Sequence, residues 1–209
     1  MNFDISEDLQ THLHSLDKFI RDTILPLQHS DGNVRFFDHR REYSPRARIL
    51  ADEAGFYRFA LPKIYGGQSH PQTNVWMSSI RFYMASHPLY GGGLGLANDL
   101  QNKHSIVGDL PDVHMIHHFG TDQQRRKLIP ARISGDFRAT FGLTEPNHGS
   151  DATFMSTVAK PTTEGFEIIG SKKWQTSAHN CTHLIIFART SGKPGSAKGI
   201  TAFLVPRDT

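Results

Sequence analysis

Two polar segments in the second half of the chain combine residue types that can bind a ligand. Residues 141–151 read Phe-Gly-Leu-Thr-Glu-Pro-Asn-His-Gly-Ser-Asp and follow a predicted strand. A strand exit of this kind can present backbone amides and hydroxyls to an anionic or heteroaromatic ligand. Residues 172–177 read Lys-Lys-Trp-Gln-Thr-Ser, where Trp174 and Thr176 share one side of an extended stretch. Together the segments predict a flat apolar surface beside several donors, which suits an isoalloxazine ring.

Simpler structural interpretations compete with each polar feature. Taken alone, residues 141–151 have the composition of a polar turn, and a tryptophan such as Trp174 is typical of a hydrophobic core. The glycine cluster at 91–95 lacks the preceding strand of a dinucleotide fingerprint, so we predict a tight turn or close helix packing there. Three histidines share a predicted helix, but no carboxylate or cysteine joins them at ligand spacing, so no metal site is predicted. These are His114, His117 and His118.

Composition narrows the classes of protein to which this chain can belong. The chain has 209 residues, 37% of them hydrophobic, and a net charge of only +3 spread along its length, which makes nucleic acid an unlikely partner. Cys181 is the single cysteine, so we expect no internal disulfide and a small buried hydrophobe in a reducing compartment. No apolar signal core or membrane-length segment is present, so we expect a cytoplasmic protein without membrane association. A mitochondrial or peroxisomal location stays open.

The elements that must position the two segments change in type at Gly135. Helical spacing and capping residues predict helices at 4–25, 45–54, 72–85, 111–118 and 122–128. The first has an apolar stripe from Leu9 to Ile24 and a capping pair at Asp4 and Glu7, and residues 121–124 form a capping box for the last. Strands are predicted at 138–143, 153–159, 166–171, 182–188 and 200–205. Helices followed by strands indicate an α+β fold, with an all-helical amino-terminal domain over 1–135 and a β domain over 136–209.

At this point the residues resemble a known family. Residues 143–151 follow the signature of the acyl-CoA dehydrogenases, a hydrophobic residue, Thr-Glu-Pro, two residues and Gly-Ser-Asp. Further stretches similar to family motifs occur in order at 55–67, 119–135, 170–177 and 199–205. The resemblance implies a helical first domain, a β-barrel-like middle domain and a carboxy-terminal four-helix bundle. The chain would then hold the first domain and a middle domain incomplete at its carboxy-terminal end, with an exposed apolar sheet surface.

The resemblance also implies a site for FAD. Thr144 would hydrogen-bond the pyrimidine end of the flavin, Trp174 would pack near the ring, and Thr176 would reach toward N5. Main-chain groups around Ser150 would face both the flavin and the thioester, and helices over 91–102 would border the acyl pocket. The residues assigned to cofactor binding are Phe141, Leu143, Thr144, Gly149, Ser150, Trp174 and Thr176, with Ser150 also assigned to substrate binding. The sequence departs from the family pattern at His148, Gln175 and Ala178.

The implied reaction is α,β-desaturation of an acyl thioester. In that reaction a carboxylate removes the α-proton while the β-hydride passes to the flavin. The family's base is a glutamate of the carboxy-terminal domain, so no catalytic residue is assigned in this chain, and Glu145 is expected to be structural.

Three functions stay open at this point. The chain could be a fragment or one half of a two-chain dehydrogenase, with a homo-oligomer or a complementary chain supplying the helical bundle. It could instead be a non-catalytic module that binds an acyl thioester or flavin. A flavin oxidase of the same fold is the third alternative.

Overall fold

The computed structural model describes residues 4–30, 45–86, 106–108, 110–176 and 178–209. The glycine cluster at 91–95, the segment through Asn102 and Ser177 lie outside these residues. The chain divides between His114 and Met115 into two compact units, and each is described by itself. Within the described ranges, no helix has the length and apolar character needed to cross a membrane.

The amino-terminal unit is helical. Its helices are α1 (Glu7–Phe19), which continues as a π-helical turn at Ile20–Ile24, then α2 (Leu25–Ser30), α3 (Pro45–Glu53) and α4 (Thr73–Ser86). The apolar stripe predicted on the first helix is buried, at Leu9, Leu13, Leu16, Ile20 and Ile24. The capping pair predicted at Asp4 and Glu7 is wrong. Helix α1 begins at Glu7, and its cap is the Ser6 hydroxyl, which accepts from the Leu9 amide at 3.4 Å.

Two more helices precede the sheet. Helix α5 (Pro111–Phe119) spans the division between the units, and α6 (Asp122–Ser134) lies in the carboxy-terminal unit. The capping box predicted for α6 is confirmed, since the Thr121 hydroxyl and the Gln124 side chain cap each other's backbone amides. The helix runs past the predicted end at Leu128 and past Pro130, and it closes at Gly135. Burial of Ile129 and Ile133 on either side of the proline offsets the lost backbone bond.

A five-stranded mixed sheet forms the rest of the carboxy-terminal unit. Its strands are β1 (Ala139–Gly142), β2 (Val158–Pro161), β3 (Phe166–Ile169), β4 (His183–Arg189) and β5 (Ile200–Pro206). Strand β4 pairs with β1 in parallel and with β5 antiparallel over its whole length. Strand β2 pairs with β3 antiparallel and meets the end of β4 at Val158 and Arg189.

The α+β fold class is confirmed. All five predicted strands are present, but the second begins at Val158 rather than Thr153, because Ala152–Phe154 forms a 3-10 turn. Cys181 is free and buried, as predicted. The domain boundary at 135 stays a prediction.

Strand β3 carries exposed apolar side chains. Phe166 and Ile169 are both exposed, and the Phe166 ring packs edge-on against Phe203 of β5 with centroids 5.2 Å apart. Because side chains of a strand alternate between the two faces of a sheet, these two lie on opposite faces. The exposed apolar surface expected on the sheet stays a prediction.

Just after β3, the backbone of Gly170 lies very close to Thr157. A Cβ at this position would lie 2.4 Å from Thr157 Oγ1 and 2.7 Å from Thr157 Cα. We expect Gly170→Ala to destabilise the carboxy-terminal unit, because Thr157 is buried and cannot yield without moving the backbone. Denaturant unfolding measures the loss.

Gly165 provides a matched control for this substitution. Its φ of +150° is close to the +153° of Gly170, but a Cβ there has nothing within 4 Å. Gly165→Ala therefore carries the same backbone strain without the clash. We expect Gly170→Ala to lose about 2 kcal/mol more than Gly165→Ala. Equal losses would contradict the close approach.

Candidate functional site

The two polar segments singled out in the sequence lie side by side in the carboxy-terminal unit. The Lys173 amide donates to the Thr144 carbonyl at 2.9 Å, and the Lys172 ammonium donates to the Leu143 carbonyl at 3.0 Å. Residues separated by nearly thirty positions in the chain therefore form one surface. Each predicted residue of the two segments that the structure describes belongs to this surface or to the strand leading into it.

Strand β1 delivers the first segment to the site. Phe141 is half-buried and packs on Phe187 of β4, with ring centroids 4.8 Å apart. Phe141 pairs with Ile185 in the parallel register, so the position of the strand end is set by β4. Leu143 and Thr144 follow immediately, both half-buried. The predicted strand exit is thus anchored in the sheet.

A tight turn follows Thr144. The amides and carbonyls of Glu145 and His148 bond to each other, at 2.9 Å and 3.3 Å. Asp151 then folds back, accepting from the Gly149 amide at 3.1 Å and contacting His148 Nδ1 at 2.8 Å. The hydrogen bond with His148 lowers the pKa of Asp151, so the carboxylate is ionised at neutral pH. Gly149 and Ser150 are exposed beside this turn.

Glu145 is buried beneath the turn, with its side chain only 1% exposed. Its carboxylate accepts from the Ser156 amide and hydroxyl at 2.7 Å and 2.6 Å, and from the Thr157 amide at 2.8 Å. Lys172 Nζ completes the set at 2.9 Å. Burial alone raises the pKa of Glu145, but the hydrogen bonds from Ser156, Thr157 and Lys172 outweigh it and hold the pKa well below its ordinary value. Glu145 is thus structural, as expected, and remains a carboxylate.

Trp174 stands out from the surface. Its side chain is 77% exposed, which excludes the core interpretation. Its backbone φ is +67°, a left-handed conformation that is rare for a bulky residue. The Lys173 ammonium lies 4.5 Å from the centroid of the indole ring. The structure thus holds the indole exposed, at a cost in backbone strain.

Thr176 is exposed and fixed through its backbone. Its carbonyl accepts from the Thr140 hydroxyl at 2.9 Å, and Thr140 is fully buried in β1. The Gln175 amide group donates to the Lys173 carbonyl at 2.6 Å, so this departure from the family pattern closes the segment on itself. The hydroxyl of Thr176 plays no part in these backbone contacts.

Sequence reasoning missed the residues that hold the two segments together. No role was predicted for Thr140, Ser156, Thr157 or Lys172, although each one bonds to a site segment. The sequence did contain a signal for this network, since Lys172 lies within the second motif and Glu145 is a carboxylate expected to be structural. Pairing them requires knowledge of the sheet.

Comparison with known proteins shows which protein family this chain resembles. Residues 140–209 match the family described as "Acyl-CoA dehydrogenase, middle domain". The chain is 27% identical to a glutaryl-CoA dehydrogenase of Desulfococcus multivorans over 100% of this chain and 50% of that protein. The crystal structure of a glutaryl-CoA dehydrogenase from Mycobacterium smegmatis superposes with a TM-score of 0.62 at 25% identity, covering 98% of this chain and 47% of that one.

A two-chain assembly shares the fold. The ChsE4-ChsE5 complex from Mycobacterium tuberculosis matches with a TM-score of 0.58 at 21% identity, over 99% of this chain and 48% of that chain. Fold and site segments thus define an α+β protein of the acyl-CoA dehydrogenase type. Residues 140–209 belong to the acyl-CoA dehydrogenase middle-domain family, and the chain as a whole is similar to acyl-CoA dehydrogenases. It spans about half the length of the curated relatives it matches.

Proposed function

We propose that this chain carries the flavin-binding surface of an FAD-dependent acyl-CoA dehydrogenase-like oxidoreductase acting on an acyl thioester. The observation that carries the proposal is the 2.9 Å bond from the Lys173 amide to the Thr144 carbonyl. It joins the residue before Trp174 to the turn that carries Thr144. These are the two segments that the family resemblance assigns to flavin contact.

The residues present fit a flavin ring. Trp174 offers an exposed indole with the Lys173 ammonium over one face, and Thr176 offers an exposed hydroxyl two residues further on. Gly149 has open space around its Cβ position, so a ligand can approach the turn closely. A bound FAD would supply the hydride acceptor for the reaction. The residues of this chain would bind and orient the ring.

Ser150 is the proposed contact for the acyl thioester. It is exposed on the turn next to Gly149, on the same segment as Thr144. We assign no general base among the described residues, because Glu145 is buried and held by four hydrogen bonds. The base would come from outside the described surface.

A further chain is the proposed partner, as a second copy or as a complementary chain that supplies a helical bundle. The exposed apolar side chains of β3 and the ChsE4-ChsE5 complex support this proposal. An oligomer would cover exposed apolar side chains such as Phe166.

Titration of the full chain with FAD, monitored by flavin fluorescence, tests whether the chain binds this cofactor. We expect saturable binding by the wild type and about tenfold weaker binding by Thr176→Val, the loss of one hydrogen bond. The unfolding midpoint should not change, because the structural bond at Thr176 uses its carbonyl. Thr163→Val removes an equally exposed hydroxyl from the β2–β3 turn and should bind FAD as the wild type does.

The outcomes separate the functions. Wild-type chain that stays free of FAD at excess cofactor would contradict the flavin proposal. Heat on mixing with an acyl-CoA but none with FAD would favour the non-catalytic module. Rapid reoxidation of the reduced complex in air would favour an oxidase over a dehydrogenase.

A further inference from the structure

Lys172 reaches both ends of the Thr144 turn with a single buried ammonium. Its side chain is 10% exposed, and Nζ donates to the Leu143 carbonyl at 3.0 Å and to Glu145 Oε1 at 2.9 Å. These two acceptors flank Thr144 in the chain. A buried ammonium must keep its acceptors, because an unpaired charge inside the protein is strongly unfavourable. Lys172 therefore fixes the turn on either side of Thr144.

Lys173, the next residue, bonds to the centre of the same turn. The Lys173 amide donates to the Thr144 carbonyl at 2.9 Å. Two consecutive residues of one segment thus bond to three consecutive residues of the other. Trp174 follows directly, so its distance from Thr144 depends on these bonds.

Glu145, which lies beneath the turn, is itself held in place. Glu145 accepts from Ser156 and Thr157 as well as from Lys172, so its carboxylate is held from two sides. A buried carboxylate bonded from two sides in this way has one arrangement rather than several. Lys172 couples that arrangement to the segment carrying Trp174 and Thr176.

We propose that Lys172 is a positioning residue of the flavin site, which sets the spacing between Thr144 and Trp174 without touching the cofactor. The inference rests on the proposed function for its ligand. Its geometric part, the order of the Trp174 segment, exists in the chain without FAD.

Lys172→Met tests the inference in the full-length chain, with Lys160→Met as its control. Lys160 is an exposed lysine on β2 and matches the loss of charge in the same unit. Amide hydrogen exchange at Lys173 reports the bond to Thr144 directly. We expect exchange at Lys173 to rise at least about tenfold in Lys172→Met, and FAD affinity to fall about ten- to a hundredfold. Lys160→Met should match the wild type in both.

A double variant separates positioning from the cost of an unpaired buried charge. Lys172→Met leaves the Glu145 carboxylate without its cation and can unfold the unit, whereas Lys172→Met with Glu145→Gln removes both charges. The double variant should be more stable than Glu145→Gln alone, because no buried ammonium is left without its carboxylate, while the Lys173 amide stays unprotected. A protected Lys173 amide in the double variant would overturn the inference. Wild-type chain that fails to bind FAD would contradict the proposed function, while the exchange result decides the role of Lys172 independently.

Discussion

Glu145→Gln is expected to destabilise the carboxy-terminal unit by about 3–5 kcal/mol, the usual cost of removing one partner of a buried ion pair. The substitution removes the negative charge that pairs with the buried Lys172 ammonium. It also places an amide NH₂ group at one of the two carboxylate positions, where it faces either the Ser156 amide or the Thr157 amide. Two donors would then face each other in a site closed to water.

Urea unfolding of the full chain measures this loss. Glu167→Gln is the matched control, since Glu167 is exposed on β3 and undergoes the same change of carboxylate to amide. We expect its unfolding free energy to change by less than about 0.5 kcal/mol. A loss at Glu145 no larger than that at Glu167 would show that the buried network contributes nothing to stability.

The same carboxylate makes stability sensitive to acid. The pKa of Glu145 in the folded chain lies below its ordinary value of 4.5, so the folded state holds the ionised form more strongly than the unfolded state does. This contribution is full above the unfolded pKa and is lost as the pH falls toward the folded one. We expect the urea midpoint of the wild type to fall from about pH 5 downward, and less steeply in Glu145→Gln.

Features that depend on neighbours in the chain could be predicted from the sequence. The apolar stripe of α1 follows from helical spacing, and the capping box at Thr121 and Gln124 spans three residues. The five strands follow from short apolar runs between turn residues. Local spacing also put a hydroxyl and an indole on the segment containing Trp174 and Thr176.

Features that depend on residues brought together by the sheet could not be predicted. Glu145 and Lys172 are 27 positions apart, and Thr140 and Thr176 are 36 apart, so no periodicity relates them. The left-handed backbone of Trp174 is equally hidden, because tryptophan has no preference for that conformation. The family signature supplied the prediction of a flavin site, and the structure supplied the bonds that join its two segments.

The strained backbone of Trp174 identifies what this residue contributes. A left-handed conformation costs a residue with a Cβ about 1–2 kcal/mol. Burial of the indole does not offset that cost, since the ring is 77% exposed. The bonds on either side, from the Lys173 amide to Thr144 and from the Thr140 hydroxyl to Thr176, hold the conformation. A residue kept in strain at an exposed position is typical of a ligand contact.

Trp174→Gly should therefore weaken flavin binding without harming the fold. Glycine adopts φ of +67° freely, and the relief of about 1–2 kcal/mol is offset by the greater entropy of glycine in the unfolded chain, about 0.5–1 kcal/mol. We expect the unfolding free energy to stay within about 1 kcal/mol of the wild type, and FAD affinity to fall more than about tenfold with the loss of the aromatic face.

The second tryptophan of the chain is the control for this prediction. Trp76 lies in α4 and is buried, so Trp76→Ala should cost about 3–5 kcal/mol. A loss of that size at Trp174 would mean that the indole is packed against protein. Undiminished FAD binding by Trp174→Gly would remove the indole from the flavin site, whereas unchanged stability with lost binding would show that the strain is maintained for the ligand.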